Sequence, residues 1–289
     1  MKQFKLNAFE KFVICHKKAI KVFLYAFLFL SAVITSICSN YVKIPPIDFV
    51  ILTLTVVCLM YTEIMPAIKS DKVLKAYRNL NMEYALDGIS ALTDAVNPRD
   101  RALASLYHNN KTAFLIDAGN YEEAEKEIKL FFQIFDTRRL PPVTLFTIHV
   151  NLAQLKLLLG DEETYQAQLH IVEGYYGKVS KLKAKYFINF ADNAFIGLVN
   201  SAFSLYGDYN EGFEQNVFNH MKFFGGKENK KLFPIDYLNA YSTLFTYFNR
   251  LGNTEKADYY ARKVTKIGNS GYYMYRIAKE YLENADRSN

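Results

Sequence analysis

The sequence predicts an all-α protein: a two-helix transmembrane hairpin followed by a run of helical hairpins. Three observations carry that expectation. Two apolar runs, residues 22–38 and 49–62, flank a short loop containing Pro45 and Pro46. No stretch after them sustains the apolar–polar alternation of a half-buried strand. Instead, glycine turns recur at Gly119, Gly160, Gly207 and Gly252, spaced 41, 47 and 45 residues apart.

The first apolar run holds seventeen residues without a charge, ten of them Leu, Ile, Phe or Val. Each of those favours insertion by roughly 0.3–0.6 kcal/mol at a helix centre, so the run as a whole prefers the bilayer. Lys21 stands at its end, where a long side chain reaches the headgroups. The second run reaches spanning length, about twenty residues, once Ile47, Ile64 and Met65 are included. Asp48 and Glu63 bound it near its ends, where a charge costs less than at mid-bilayer. Pro66 then either kinks the exit or sits within a continuous helix. A cleaved signal peptide fits poorly, because the first run exceeds the usual apolar core of about 7–15 residues. No small-residue cleavage pattern follows it, and Ile37 before Cys38 is too bulky for a lipoprotein-type site. Residues 21–68 therefore read as a hairpin embedded in a lipid bilayer. Residues 1–20 read as a basic cytoplasmic juxtamembrane segment.

Basic residues set the orientation. Lys2, Lys5, Lys11, Lys17, Lys18 and Lys21 precede the first span, and Lys69, Lys72, Lys75 and Arg78 follow the second. The connecting loop, 39–47, carries only Lys43. Both termini of this two-span, multi-pass cell-membrane protein are thus expected in the cytoplasm. The formal charge of +6 is uneven, with +4 over residues 1–68, +3 over 69–78 and −1 over the rest. Positive charge is a membrane-proximal feature suited to anionic headgroups. The near-neutral remainder lacks the basic surface that nucleic acid requires. Cys15, Cys38 and Cys58 all fall in the anchor region, so the domain needs no oxidising compartment. His16, His108, His149, His170 and His220 are scattered without a Cys/His cluster, and neither a metal nor a cofactor is expected.

The four turns share one chemistry. They read Gly119-Asn120-Tyr121-Glu122-Glu123-Ala124, Gly160-Asp161-Glu162-Glu163, Gly207-Asp208-Tyr209-Asn210-Glu211-Gly212 and Gly252-Asn253-Thr254-Glu255-Lys256-Ala257. Glycine ends a helix in the left-handed region, Asn or Asp caps the next, and acids suit the positive end of its dipole. Ala124 and Ala257 let paired helices approach closely. The linker segment 69–98 is expected to hold helices 69–87 and 89–96. Four pairs follow: 99–118 with 121–135, 141–159 with 162–172, 181–206 with 209–224, and 235–251 with 254–267. A last helix, 272–284, is apolar at Tyr275, Ala278 and Leu282. Phe187, Phe190, Phe195, Phe203, Tyr241, Phe245 and Phe248 fall at helical spacing and are expected in the core between helices.

At these turns the chain resembles the tetratricopeptide-repeat (TPR) family. Residues 119–124 and 252–257 follow that family's Gly-Asp/Asn-x-x-x-Ala turn best, while 160–165 and 207–212 follow it less fully. The spacings exceed the family's repeat of about 34 residues. The family's aromatic and Leu-Gly positions in the first helix are mostly unmatched. The resemblance covers about residues 99–268. It implies a TPR-like α-solenoid over 99–289 with a C-terminal capping helix, whose concave groove is lined by the first helix of each pair.

Enzyme chemistry finds little footing. Gly225-Gly226-Lys227 lacks the preceding strand and the Lys-Ser/Thr ending of a phosphate loop, and neither G-x-S-x-G nor H-E-x-x-H occurs. Glu122/Glu123 and Glu162/Glu163 occupy helix first turns, where the dipole accounts for them. Binding is better supported. Asn239, Ser242, Thr246 and Asn249 fall at i, i+3, i+7 and i+10, on one helical face. Asn189, Asn193, Asn200 and Ser204 lie along the preceding long helix, and Asn109 and Gln154 take comparable places earlier. Amide side chains there can donate to and accept from a peptide backbone, the plain alternative being a solvent-facing polar surface. Lys178, Lys181, Lys183 and Lys185 beside Tyr175-Tyr176, and Lys227, Lys230 and Lys231, could meet headgroups or an acidic partner, or simply be solvated.

The functional expectation is a membrane-anchored, non-enzymatic scaffold or adaptor engaging an unknown protein or peptide partner at the inner membrane face. A peptide-sensing regulator is one alternative. The other is an accessory subunit of a membrane transporter or channel complex, packed through Ser31, Thr35, Ser36, Thr53 and Thr55. Usage rich in Lys, Asn, Ile, Phe and Tyr suggests an AT-rich bacterial genome.

Overall fold

A computed structural model describes residues 3–38, 47–182, 184–224, 227–228 and 231–288. The expectations for the loop at 39–46 with Lys43, Pro45 and Pro46, for Lys2, Lys183 and Lys230, and for Gly225-Gly226 lie outside the described residues. The described chain is helical, with one short antiparallel ladder between Phe223–Phe224 and Lys227–Glu228.

Helices α1 (Ala8–Cys38) and α2 (Ile47–Arg78) pack along each other, and both are long and apolar enough to cross a membrane. The start of α1 is closed by a reciprocal cap. The Asn7 amide N–H donates to Glu10 (2.9 Å), and the Glu10 N–H donates to the Asn7 side chain (2.8 Å). Helix α2 runs unbroken through Pro66, and Ser70 donates to the Pro66 carbonyl at 2.8 Å. Where the sequence suggests only a basic flank, Phe4, Leu6, Val13 and Ile14 are buried in the main core. Complete burial of an aliphatic side chain such as Ile14 stabilises by about 1.5–3 kcal/mol. The first turns of α1 therefore pack into the helical core, ahead of the uncharged apolar run at residues 22–38.

Helix α3 (Met82–Ala95) packs on α2. The expected pair 69–87 and 89–96 places a break at residue 88; the break instead lies at Asn79–Asn81, and Gly88 sits inside α3. A Cβ on Gly88 would come within 2.4 Å of the Val73 side chain and 3.2 Å of Phe4, so this glycine serves close helix approach. At the break Leu80 takes φ 60°. The Leu80 N–H donates to the Tyr77 carbonyl at 3.0 Å and the Asn81 N–H to the Ala76 carbonyl at 2.8 Å. Those are the two bonds of a Schellman end.

The same two bonds recur at Gly119 (φ 76°), Gly160 (φ 71°) and Gly252 (φ 70°). They join α4 (Arg101–Asp117) to α5 (Tyr121–Ile134), α6 (Pro142–Leu158) to α7 (Glu162–Val179), and α10 (Pro234–Arg250) to α11 (Thr254–Ile267). Asp161 and Asn253 cap their helices through the Thr164 and Lys256 N–H groups. Ala124 and Ala257 are fully buried between paired helices. Helix α7 continues past 172 to Val179 because Val172 and Val179 share a buried stripe at i, i+7.

Gly207 departs from the pattern. It is extended (φ −73°, ψ 147°), and α9 (Phe213–Lys222) begins several residues later than the expected 209. Helix α8 (Lys185–Tyr206) likewise starts at 185 rather than 181. Side chains from α10 account for the geometry at Gly207. Arg250 donates to the Ser204 carbonyl at 3.1 Å and to the Gly207 carbonyl, while Tyr247 receives the Asn210 N–H at 2.6 Å.

Helices α4, α6, α8 and α10 pack side by side in chain order, with α5, α7, α9 and α11 as their hairpin partners. Helix α12 (Tyr273–Ser288) covers α11. The chain's end also returns to its beginning. Asn269 donates to the Leu80 carbonyl (2.5 Å), the Tyr272 hydroxyl to the Tyr77 carbonyl (2.9 Å), and Arg276 to the Ala118 carbonyl (2.8 Å). The buried side chains form a larger cluster from α1 to α6 and α9 to α12, and a smaller one between α6, α7 and α8. Of the aromatics expected in the core, Phe245 and Phe248 are buried, whereas Phe187 is 40% exposed on the first turn of α8.

Candidate functional site

The helices that pack in series leave a cavity of about 650 Å³ between them. Helices α6, α8 and α10 supply three walls, the end of α4 and Tyr121 a fourth, and Tyr77 of α2 borders it together with Tyr272 and Tyr273 near the chain's C-terminal end. That volume lies within the range of small-ligand pockets, about 300–1,000 Å³.

Seven of the nine candidate residues line this one cavity: Gln154, Asn193, Asn200, Ser204, Asn239, Ser242 and Thr246. Asn109 and Asn249 do not. Asn109 is buried where α4 meets α6; it donates to the Thr144 carbonyl (3.3 Å), and its own carbonyl receives the Asn151 amide (3.0 Å). It fastens two helices rather than facing the cavity. Asn249 is exposed near the end of α10, its carbonyl taken up by the Gly252 turn. Asn189, one turn before Asn193, is also absent from the lining. Each stripe therefore leaves the lining at one end, at Asn189 near the start of α8 and at Asn249 near the end of α10.

Several polar groups in the cavity are already engaged. Ser204 donates to the Ser201 carbonyl (2.7 Å), Thr243 to the Asn239 carbonyl (2.9 Å), and His220 to the Asn193 carbonyl (3.0 Å). Burial holds the His220 imidazole below the usual histidine range. Ser242 differs: it is 7% exposed, and its hydroxyl has no hydrogen-bond partner among the described residues. A buried hydroxyl left unpaired costs about 1–3 kcal/mol, which makes it a standing acceptor and donor for anything that enters.

Sequence reasoning missed the charged part of the site. Asp117 and Asp236 both line the cavity, and no lysine or arginine among the described residues does. Asp236 sits in the first turn of α10, where it accepts the Phe233 N–H at 2.8 Å. Burial raises its pKa, the Phe233 bond and the Arg78 charge opposing that rise. Asp117 ends α4. Burial pushes its carboxyl up from 3.8 to about 6, against the pull of the hydrogen bond donated by the Tyr77 hydroxyl. Protein atoms surround this carboxylate, yet it stays half-buried by solvent exposure because it faces the cavity. A signal for Asp117 was present: an acid in a helix's last turn opposes the dipole, so its presence two residues before Gly119 asks for a reason. No sequence signal connects it with Tyr77 or Tyr272, which are far away in the chain.

The basic runs assemble nothing comparable among the described residues. Lys178 stacks over Tyr175 at 4.8 Å, and Tyr176 donates to Asp192 at 2.7 Å. Compared with known proteins, the chain matches no family model, no curated protein and no solved structure.

Proposed function

We propose that this chain is a membrane-anchored, TPR-like helical-repeat protein whose repeat domain holds a peptide segment of a partner at the inner face of the membrane. One observation carries the reading. Seven uncharged polar side chains from three successive first helices converge on a single cavity, and amide and hydroxyl groups match the alternating donors and acceptors of an extended backbone.

The anchor rests on exposure. Val22, Phe23, Phe29, Leu30 and Ile34 of α1, and Val50, Leu52, Leu54, Val57 and Met60 of α2, are all large apolar side chains left exposed. A patch of that extent is a lipid-facing or partner-facing surface, not a solvated one. A charged belt closes it below, where Lys17 (2.9 Å) and Lys21 (2.5 Å) pair with Glu63. Phe9 and Tyr61, rings 5.8 Å apart, lie near this belt, as aromatic residues do at the interface. The excess of lysine before the first apolar span and after the second favours cytoplasmic termini.

A second reading, a peptide-sensing regulator, is favoured by the continuity of α2. One unbroken helix carries the apolar span at its start and Tyr77, a cavity wall, in its last turn. A ligand that displaced Tyr77 from Asp117 would act directly on the membrane helix.

The test uses full-length protein in detergent, mixed with a randomised pentapeptide pool and passed through gel filtration, with retained peptides quantified by mass spectrometry. Asn200→Ala with Asn239→Ala is expected to lower retention about tenfold or more while the circular-dichroism melt stays put. Unchanged retention removes the groove. Extraction by alkaline carbonate, or labelling of a C-terminal cysteine from outside intact cells, would remove the placement.

A further inference from the structure

We infer that the cavity selects a positively charged ligand group, an ammonium or guanidinium, and seats it against Asp117. This deepens the peptide-binding reading and rests on it. Among the described residues, Asp117 faces the cavity with no cationic partner, and its side chain receives a hydrogen bond from the Tyr77 hydroxyl. Near neutral pH a carboxyl titrating at about 6 is mostly ionised, so a negative charge without an ion-pair partner among the described residues faces the cavity. Asp236 on α10 adds a second carboxyl, though the Arg78 charge acts on that one from outside the lining, and the lining itself holds no lysine or arginine among the described residues.

The surrounding chemistry suits a cation. Tyr77, Tyr121 and Tyr272 border Asp117 closely enough for its charge to act on all three. Burial keeps the Tyr121 and Tyr272 hydroxyls protonated well beyond the physiological range. Neutral aromatic faces beside a carboxylate stabilise a desolvated cation from both the charge and the ring quadrupole. Arg276 has its donors on the Ala118 and Ser270 carbonyls, both at 2.8 Å, stacks on Tyr273, and makes no ion pair with Asp117 among the described residues. It does not fill the role from within. Independently, the Ser242 hydroxyl in the same cavity is over nine-tenths buried and unpartnered. A bound ligand satisfies it; an empty apolar packing role would not require a hydroxyl there.

A peptide can supply the cation from its amino terminus or from a lysine or arginine side chain. Four histidine-free pentapeptide pools separate these sources: free or acetylated amino terminus, each with or without Lys and Arg. With full-length protein in detergent at pH 7.5, the free-amine pool containing Lys and Arg is expected to be retained at least about tenfold better than the acetylated pool without them. The two intermediate pools show which source is read. Asp117→Asn is expected to abolish the discrimination between the extreme pools. Ser242→Ala should lower retention of the best pool about three- to tenfold, the loss of one hydrogen bond. Equal retention of the extreme pools by the unaltered protein overturns the inference and leaves the peptide reading standing. Retention of no pool overturns both. Full discrimination by a folded Asp117→Asn protein overturns the assignment to Asp117.

Discussion

Two turns of this molecule invert the usual rule for glycine. At Leu80, between α2 and α3, a branched residue adopts φ 60°; at Gly207, between α8 and α9, the residue free to do so stays at −73°. The left-handed region costs a residue with a Cβ about 1–2 kcal/mol. At position 80 that cost is offset: Leu80 is 6% exposed within the main core, and its carbonyl receives the Asn269 amide. At position 207 the opposite holds. Arg250 and Tyr247 capture carbonyl and amide groups of the segment, and the Phe203 ring lies against the position a Cβ on residue 207 would take. Long-range partners decided both conformations, and in both cases they overrode the local preference.

The largest test of that comparison is at Leu80. Leu80→Ala is expected to destabilise by about 2–5 kcal/mol, since it loses burial and keeps the backbone strain. Leu80→Gly should come out roughly 0.5–1 kcal/mol better than alanine, because it releases the strain at some cost in chain entropy. Urea unfolding of the detergent-solubilised protein reads both. A glycine variant clearly worse than alanine would break the account of this turn.

A second test concerns Asp117, which Tyr77 holds beside the same turn. Its folded pKa, about 6, lies above the ordinary 3.8. Between pH 4 and 6 the unfolded chain has released this proton while the folded protein retains it. Stability from this group is therefore full below pH 4, declines as pH rises to 6, and stays reduced above. Asp117→Asn should remove the decline and raise stability at pH 7 by about 1–3 kcal/mol, measured as the difference between unfolding curves at pH 4.5 and 7. A variant less stable than the parent at pH 7 would show that the carboxylate, not the burial, matters to the fold.

The smallest effects separate the two kinds of glycine. A Cβ on Gly252 meets nothing within 4 Å, so Gly252→Ala costs only backbone strain, about 1–2 kcal/mol, and Gly252→Asn should recover most of it. A Cβ on Gly207 comes within 2.5 Å of the Phe203 ring. Gly207→Ala should cost about 1 kcal/mol through packing, with asparagine no better and a smaller residue at 203 restoring part. Recovery by asparagine at 207 would mean that this turn visits the left-handed form after all.

The chain's own residues determined the helical architecture, the two spanning-length apolar runs, and three of the turns. Those are local matters: a 3.6-residue pattern, a run without charge, and a glycine at the helix end, followed at Asp161 and Asn253 by a capping side chain but at Asn120 by none, suffice to specify them. The convergence of Gln154, Asn193, Asn200, Asn239 and Thr246 was also legible, because each lies on a recognisable face of its own helix. Tertiary structure alone decided the rest. The Leu80 turn carries no glycine to announce it, and Phe4 and Ile14 look like part of a basic flank until α3 is seen to pack on them. The charge of the cavity depends on Asp117 meeting Tyr77 and Tyr272, residues 40 and more than 150 positions away. Contacts at such separation arise only when helices distant in the chain pack together, and no local pattern encodes which distant surfaces will bury each other.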